Sequence, residues 1–318
     1  MGRHAASHSW DCDLGHNPLS PWDDRHDTIR VTSEVGPMCE LFGIKMLSEL
    51  AYTRRGQGEP LVLLHGIGHR HGAYDPVIDE LAKDFDVIAA DLPGLGDSPG
   101  LPEGVPYTTE NVVRALAENF DRWGISRPHV VGNSLGGMFS IALAQLGHVR
   151  SATCLAPAGY FRPWNLLRAG GTLLPLKLGS YLPASALRQF SKLKFGRKFI
   201  GWSLYAHPER HDSASTFADS MAMKRGPGFW AYFVRCIPLG FSTPRVFRGV
   251  ATVPITIAWG NKDRVLHPTQ ALLARKRLRG ISFVGLLDCG HVPMADSPTQ
   301  VVAAIRNTAA KASGQLNA

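Results

Sequence analysis

Short apolar runs recur along the chain, and glycine, proline or charged residues flank them. Runs of this length with such flanking residues are typical of buried β-strands. Strands are predicted at LAYTRR, PLVLLHG, DVIAADLP, HVVGN, SATCLAPA, VPITIAWG and ISFVGLLD.

Amphipathic segments lie between these runs. In the segment that starts near Thr109, apolar residues at Val112, Leu116, Phe120 and Trp123 fall on one helical face. Helices are predicted there and at DPVIDELAKDF, SLGGMFSIALAQLG, HPTQALLARKRLRG and SPTQVVAAIRNTAAKA. Because short strands alternate with helices, the pattern predicts an α/β protein whose parallel sheet is covered on both faces.

The composition is that of an ordinary globular protein, with 44% hydrophobic and 19% charged residues in a chain of 318. No apolar run reaches the roughly 18 residues of a membrane span, and the N-terminal stretch lacks the apolar centre of a secretory signal. We therefore expect a cytoplasmic protein. Its five cysteines show no clustered spacing, which favours reduced thiols over disulfides or a zinc site.

The N-terminal residues 1–35 are rich in His, Asp, Ser and Pro and carry no periodic apolar pattern. We expect a poorly ordered leader. His4, His8, Cys12 and His16 are spaced four apart and would meet at a metal only on a helix. Glycine, proline and the lack of an apolar face argue against that helix, so no metal site is predicted.

The basic charge is concentrated in one segment. The chain has a formal net charge of +8, yet residues 157–250 alone hold 14 Lys or Arg against 3 Asp or Glu. A protein that binds nucleic acid through a generally basic surface would not show this distribution. We therefore expect no nucleic-acid partner.

Two stretches, GDSPG and GNSLG, match G-x-S-x-G, the pattern of a nucleophilic serine on a sharp turn. Ser98 in the first is followed by Pro99, which has no N–H to donate and disfavours a helix. Ser134 in the second lies between a predicted strand and a predicted helix, and Gly132 and Gly136 leave room for the turn. The pattern favours Ser134 as the nucleophile over an N-cap serine in a glycine-rich turn.

A serine nucleophile needs a histidine base and an acid that orients it, and on sheets of this type they follow the serine in the order acid, then histidine. Asp263 comes directly after the strand VPITIAWG, and His291 follows the last strand. Asp288 is a rival acid because it lies three residues before His291. Since Asp288 is still in or beside the strand, we favour Asp263.

Two backbone N–H groups are candidates for an oxyanion hole. Leu135 follows the serine at the start of a helix, where the helix dipole adds positive charge. Ile67 lies in the loop after an early strand, just beyond His65 and Gly66. We expect His65 to shape this loop rather than to act as the base.

In sequence order, LVLLHGIG, DLPGLGDS, VVGNSLGG, ITIAWGNKDRV and GHVPMADSP give the chain a resemblance to the α/β-hydrolase superfamily over about residues 40–157 and 250–312. The resemblance implies a mostly parallel eight-stranded sheet with helices on both faces and a helical cap inserted after the sixth strand. It also implies that DLPGLGDS, which contains Ser98, is a structural turn.

The resemblance divides the chain into segments. The core would comprise residues 36–158 and 250–312, with a mainly helical cap or lid at 159–249 and a tail at 313–318. Most aromatic residues of the cap should pack its helices onto the core, and a few should line an apolar pocket above Ser134.

The cap contains the basic run SKLKFGRKFIGW, which would suit a membrane surface or an anionic acyl substrate. Its charges do not keep to one helical face, and Gly196 interrupts it. The sequence therefore favours a solvated lid surface, and weak contact with anionic surfaces is kept as a hypothesis.

The sequence thus predicts a cofactor-independent serine hydrolase that cleaves a small to medium apolar ester or related acyl compound through Ser134. A carbon–carbon bond hydrolase of ring-cleavage products is the first alternative, since the GNSLGG elbow is similar to theirs. Those enzymes usually have tryptophan where this chain has Val292. A non-catalytic ligand-binding protein on the same fold, and perhydrolase or transferase chemistry, are further alternatives.

Overall fold

A computed structural model describes residues 49–240 and 244–314. The predicted leader at 1–35, with its histidine and cysteine residues, lies outside the described residues, as does most of the predicted tail. Strands lie at β1 (Tyr52–Arg55), β2 (Glu59–Leu64), β3 (Phe85–Ala90), β4 (His129–Asn133), β5 (Ser151–Leu155), β6 (Gly249–Val250), β7 (Ile255–Gly260), β8 (Leu278–Arg279) and β9 (Ser282–Leu286).

Helices alternate with these strands outside the segment between β5 and β6. They lie at α1 (Asp75–Leu81), α2 (Thr109–Arg122), α3 (Leu135–Gln145), α4 (Pro163–Ser180), α5 (Ala184–Lys192), α6 (Lys194–Gly201), α7 (Ser213–Arg225), α8 (Phe229–Cys236), α9 (Gln270–Arg277), α10 (Pro293–Asp296) and α11 (Pro298–Ala312). In the described part of the chain, no helix combines the length and the apolar character needed to cross a bilayer.

The main sheet has the strand order β1-β3-β2-β4-β5-β7-β9. Strand β1 runs antiparallel to β3, and all other pairs are parallel. The chain passes from β2 outward to β3 and then crosses to β4 on the other side of β2. Ligand sites of open parallel sheets lie at such a reversal, beyond the carboxyl ends of the strands.

The α/β-hydrolase fold predicted from the resemblance is confirmed, whereas the eighth strand and the place of the cap after the sixth strand stay predictions. Among the described residues the main sheet has seven strands, and the helical insertion follows the fifth described strand. The apolar pattern itself supplies only seven runs of strand length, and the eighth strand rested on the resemblance alone.

Alternate residues of β2 show how the sheet is covered. Val62 and Leu64 pack into a cluster with residues of α2 and α3, whereas Leu61 and Leu63 pack on the opposite face with residues of α1 and α11. All four are almost completely buried. The two-residue period of a strand therefore buries both faces of the sheet, as the continuous apolar run predicts.

The helix predicted at HPTQALLARKRLRG is shorter than the pattern suggests. Helix α9 ends at Arg277, and the next two residues form β8, which pairs with β6 in a separate two-stranded parallel sheet. Leu278 is fully buried at this point. The helix does not continue because Leu278 is buried where β8 pairs with β6.

The segment from Pro163 to Phe247 is called here the cap, and its helices are α4 to α8. A buried lysine helps to hold it together: the Nζ atom of Lys177 in α4 donates to the carbonyl oxygen of Met223 in α7 at 2.5 Å. The same amine lies 5.0 Å from the ring centroids of Tyr181 and Phe229. The domain boundaries given above stay a prediction.

Candidate active site

Ser134 lies on a sharp turn between β4 and α3. Its backbone has φ 53° and ψ −110°, a strained conformation for a residue with a side chain. The Ser134 N–H donates to the carbonyl of Leu155 at 2.9 Å, and the Ser134 carbonyl accepts from the N–H of Ala158 at 3.0 Å. Both bonds reach to β5 or the residues just beyond it, so the neighbouring strand holds the strained turn in place.

Two glycines allow the turn to pack closely against the sheet. A Cβ atom on Gly136 would lie 2.2 Å from the carbonyl oxygen of Leu64, at the end of β2. A Cβ atom on Gly132 would lie 2.2 Å from the carbonyl oxygen of Gly136. Since these neighbours are backbone atoms, only glycine brings the start of α3 onto the ends of β2 and β4.

Asp263 and His291 form a buried pair. The Nδ1 atom of His291 lies 2.8 Å from Oδ2 of Asp263, and both side chains are almost completely buried. The other oxygen of Asp263 accepts from the N–H groups of Val265 at 2.9 Å and Leu266 at 2.8 Å. Because the carboxylate is an acceptor, Nδ1 of His291 carries the proton, and Nε2 is left as a base.

Asn133, which the sequence analysis did not single out, ties the histidine to the serine turn. Its Nδ2 atom donates to the carbonyl of His291 at 2.8 Å and to the carbonyl of Leu155 at 3.1 Å. Asn133 directly precedes Ser134, so its place in GNSLG was the only signal in the sequence. The backbone of His291 is thereby bound to the residue next to the serine.

The hydroxyl of Ser134 makes no hydrogen bond with His291 in the described structure, although Asp263 and His291 are paired. In structures without substrate such a contact is often long and tightens only when substrate binds. The three predicted side chains follow the carboxyl ends of β4, β7 and β9, with the acid–histidine contact already formed.

The rival acid Asp288 lies elsewhere. It is half-exposed and contacts Lys262 and His207, with 2.6 Å between Nε2 of His207 and Oδ2 of Asp288. Hydrogen bonds from Lys262 and His207 lower the pKa of Asp288 to about 2. Asp288 makes no contact with His291 in the described structure, so the geometry selects Asp263 as the partner of this histidine.

The two predicted oxyanion donors are available. Neither the N–H of Ile67 nor that of Leu135 donates to an acceptor among the described residues. The N–H of Gly136 donates to the carbonyl of His65 at 3.1 Å, which fixes the loop after β2 to the start of α3. A Cβ atom on Gly66 would lie only 3.3 Å from Cβ of Ser134, so this loop lies against the serine.

His65 has the structural role expected of it. Its Nδ1 atom contacts the carbonyl of Gly66 at 2.8 Å, and its Nε2 atom accepts from the N–H of Leu92 at 3.0 Å. Complete burial lowers the pKa of His65 to about 4. A neutral histidine whose two ring nitrogens are occupied shapes the loop and is not free to act as a base.

Ser98 is confirmed as a structural residue. Its hydroxyl donates to the carbonyl of Asp91 at 2.8 Å and accepts from the N–H of Ala51 at 2.9 Å. The Asp91 carboxylate in turn accepts from the N–H groups of His71 and Asp97. Ser98 therefore fastens the turn after β3 to β1.

An apolar cavity of about 380 Å³ lies in the cap. Its lining is mostly hydrophobic and includes Leu176, Leu187 and Ile200, and it meets the core at Gly68 and His69. The cavity begins beside the oxyanion loop rather than directly above Ser134, which is not among its lining residues. Packing explains the difference. The side chain of Met223 in α7 lies so close to Gly68 that a Cβ atom on Gly68 would be 2.3 Å from the Met223 sulfur.

A second cavity of about 270 Å³ adjoins the first at His69, Tyr205, His211 and Asp219. Burial lowers the pKa of His69 to about 3 and raises the pKa of Asp219. Among residues 49–240 and 244–314, no group of three or more His, Cys, Asp or Glu is arranged to hold a metal ion.

Comparison with known proteins gives consistent matches. The family model described as the alpha/beta hydrolase family matches residues 61–305. Lipase 1 of Psychrobacter immobilis is 26% identical over 255 residues, 78% of this chain and 77% of the lipase. A 2-hydroxy-6-oxo-2,4-heptadienoate hydrolase of Pseudomonas putida is 37% identical over 117 residues, 36% of this chain and 41% of that enzyme. The crystal structure of the esterase RhEst1 from Rhodococcus superposes with a TM-score of 0.62 at 23% identity, covering 81% of this chain and 93% of the esterase.

Proposed function

The chain belongs to the alpha/beta hydrolase family, and within that family we propose that it is a serine hydrolase that forms an acyl-enzyme on Ser134. One observation carries the proposal: the buried 2.8 Å contact between Asp263 and His291, bound through Asn133 to the strained turn of Ser134. A buried acid–histidine pair beside a strained serine is the arrangement that activates a hydroxyl nucleophile.

In the first step the Ser134 hydroxyl attacks the carbonyl carbon of an ester, and Nε2 of His291 takes its proton. The resulting imidazolium is stabilised by Asp263, whose second oxygen is already held by two backbone N–H groups. His291 then gives the proton to the leaving alcohol as the carbon–oxygen bond breaks. The acyl group remains on Ser134.

The N–H groups of Ile67 and Leu135 stabilise the negative charge that develops on the carbonyl oxygen. Both lack an acceptor in the described structure, and Leu135 is the first residue of α3, where the helix dipole adds to the effect. Loss of one such donor costs ~10²–10³ in rate in other hydrolases. Because a backbone donor is removed only by proline, Ile67→Pro tests this role.

Water completes the cycle. His291 removes a proton from a water molecule, which attacks the acyl carbon, and the proton passes to Ser134 as the acid leaves. We propose an apolar carboxylic ester as the substrate class. The apolar lining of the cap cavity, beside the oxyanion loop at Gly68, supports this, and so does the similarity to Lipase 1.

A second candidate is the hydrolysis of a carbon–carbon bond. It is favoured by the local 37% identity to the heptadienoate hydrolase of Pseudomonas putida. The same Ser134 and His291 would serve, so mutation of the site does not separate the two chemistries. Parallel assays with p-nitrophenyl esters of increasing acyl length and with a 2-hydroxy-6-oxo-dienoate, followed by loss of its absorbance, would separate them.

The test of the nucleophile is labelling with a fluorescent fluorophosphonate. We expect label on the wild type and on Ser98→Ala, and none on a folded Ser134→Ala. Ser98 is the matched control because it lies in the other G-x-S-x-G stretch and its hydroxyl is engaged by Asp91 and Ala51. Label retained by Ser134→Ala would refute the assignment.

A wild type that takes no label and turns over no ester, while binding a small apolar ligand tightly, would favour a binding protein on the same fold. Circular dichroism and thermal melting of each variant show whether loss of label reflects loss of the nucleophile or loss of the fold.

A further inference from the structure

The cap exposes an unusual amount of apolar surface. Of the 18 large hydrophobic residues that are exposed in the described structure, 13 lie between Trp164 and Ile237. The most prominent group is at α5 and α6, where Leu193, Phe195 and Phe199 are 56%, 70% and 65% exposed. A protein that keeps contiguous apolar side chains at its surface commonly uses them as a contact site.

These side chains form one face because α5 and α6 pack end to end. The ring centroid of Phe190 lies 6.5 Å from that of Phe195 and 6.2 Å from that of Phe199. A Cβ atom on Gly196 would lie 1.9 Å from the carbonyl oxygen of Phe190. Gly196 therefore does not interrupt the basic run, as the sequence suggested, but allows α6 to approach α5. Phe190, Leu193, Phe195 and Phe199 are called here the aromatic face.

Lysines surround the aromatic face. Lys192, Lys194 and Lys198 are exposed, and none of them forms an ion pair in the described part of the chain. Of the three acidic residues between positions 157 and 250, Glu209 lies in a turn that packs against α6, but its carboxylate contacts Nδ1 of His207 at 3.7 Å. No carboxylate among the described residues is ion-paired with the three lysines.

The aromatic face continues into the apolar cavity. Phe190 and Phe199 line the cavity and are also exposed, as are Leu182 and Trp202. The cavity thus reaches the surface among the same side chains that form the face. An apolar molecule leaving a lipid phase at this face would meet a continuous hydrophobic path into the cap.

We propose that the aromatic face docks on an anionic lipid surface. Exposed Phe and Leu side chains enter the boundary between headgroups and acyl chains, while the flanking lysines meet lipid phosphates. A symmetric dimer through the same face would instead bring Lys192, Lys194 and Lys198 of both copies together, and like charges oppose that contact. Charge complementarity therefore selects the lipid over a second copy of the chain.

The test is flotation with vesicles of phosphatidylcholine alone and of phosphatidylcholine mixed with phosphatidylglycerol, at physiological salt. We expect the wild type to float with the anionic vesicles and much less with the neutral ones. Phe195→Ser should weaken binding about tenfold, because it removes a large apolar side chain from the interface. Lys194→Gln and Lys198→Gln should each weaken it about fivefold, and the loss should shrink at high salt.

The core provides matched controls on α9. Leu272 is 62% exposed and Lys276 is exposed, and both are distant in sequence from the cap. Leu272→Ser and Lys276→Gln should float like the wild type. Equal losses in these controls, or a wild type that floats with neither vesicle, would overturn the proposal. So would a dimer in solution that Phe195→Ser dissociates, since the face would then be a contact between copies.

Docking does not depend on the proposed catalysis. Ser134→Ala should float as the wild type does, because Ser134 is buried in the core, away from the aromatic face. If the fluorophosphonate fails to label the wild type but the protein still floats with anionic vesicles, the proposed function fails and the docking surface stands. The reverse pattern of results rejects the docking surface alone.

Discussion

In helix α3 of the core every residue from Leu135 to Ala144 is buried, whereas in helix α5 of the cap only Leu187 and Ser191 are. Both helices carry apolar side chains. Helix α3 lies between the sheet and α2, which leaves its apolar residues no solvent-facing side. Helix α5 packs mainly against the cap helices α6 and α7, and its remaining apolar residues are exposed.

This difference in burial corresponds to different roles of the core and the cap. The core fixes the serine turn and the Asp263–His291 pair through backbone contacts that tolerate no added atom. The cap supplies the apolar cavity and the aromatic face, whose side chains are exposed. Tight packing is required where reacting atoms must be held in position, and looser apolar surface where a hydrophobic ligand must be met.

The two regions are joined at the histidine. The carbonyl of Leu204 in the cap accepts from the N–H groups of His291 at 2.7 Å and Val292 at 3.0 Å. The Asp296 carboxylate, in α10, accepts from the cap N–H of Ala206 and from the N–H of Gly290. The cap thus contributes hydrogen bonds that hold the loop of His291, in addition to its cavity.

The largest effect on catalysis is expected when Asp263 is changed, and Asp288 provides the matched control. Asp263→Asn should lower kcat about 10⁴-fold. The N–H groups of Val265 and Leu266 would keep the amide oxygen on their side, so the amide NH₂ would face Nδ1 and favour the wrong tautomer of His291. Asp288→Asn, which alters only the exposed contacts with Lys262 and His207, should leave kcat nearly unchanged. Steady-state assays of both variants on an ester substrate measure the two values of kcat. Equal losses in both variants would contradict the assignment of Asp263.

A matched pair of helical glycines tests the packing difference. Gly136→Ala in α3 should destabilise the fold by about 3 kcal/mol, because the added carbon meets the Leu64 backbone at 2.2 Å. Gly171→Ala in α4 of the cap, where nothing lies within 4 Å, should stabilise it by about 0.5–1 kcal/mol. Urea unfolding measures both. A loss of stability in Gly171→Ala would show that the cap is packed as tightly as the core.

The pH dependence of stability should report the buried loop between core and cap. Burial lowers the pKa of His65 from its ordinary 6.5 to about 4, so the unfolded chain takes up the proton first. Stability is therefore full above pH 6.5 and is lost as the pH falls from 6.5 towards 4.

His65 is expected to contribute a loss of about 1.5 kcal/mol of unfolding free energy between pH 6.5 and pH 5, at ~1.36 kcal/mol per pKa unit. His69, whose pKa burial lowers to about 3, adds to the loss in the same direction. Protonation of Nε2 would also remove its bond from the N–H of Leu92. Thermal melting over this range measures the loss. His148→Gln, at an exposed position in the core, should show the same slope, and a flat profile for the wild type would contradict the buried neutral state.

The smallest effect is expected on the stability of surface variants in the cap. Phe195→Ser should change the free energy of unfolding by less than about 0.5 kcal/mol, because the side chain is 70% exposed. Leu146→Ser, just after α3, is the control in the core and is 53% exposed. A loss of more than about 1 kcal/mol in Phe195→Ser alone would mean that the aromatic face stabilises the fold, and its role in docking would lose support.

Local sequence patterns identified most of the core. Strand β4 and helix α2 begin where the pattern put them. The choice of Ser134 over Ser98 followed from Pro99 after Ser98 and from the strand, helix and glycines around Ser134. These features are local, because a strand, a turn and a helix are specified by residues close together in the chain. The parallel sheet then brings the ends of β2, β4 and β7 to one edge, and with them the predicted oxyanion loop, serine and acid.

The sequence favoured Asp263 over Asp288, although both satisfied the order along the chain, and only the tertiary structure showed that Asp263 contacts His291. The tertiary structure also revealed that Asn133 links His291 to the turn of Ser134. Gly196, which interrupts the basic run in the sequence, allows α6 to approach α5 closely in the structure. In the cap the helices α5 and α6 are short, and they pack against each other and against α7. Which of their apolar residues are buried is fixed by this packing between helices, which the pattern within one short helix does not specify.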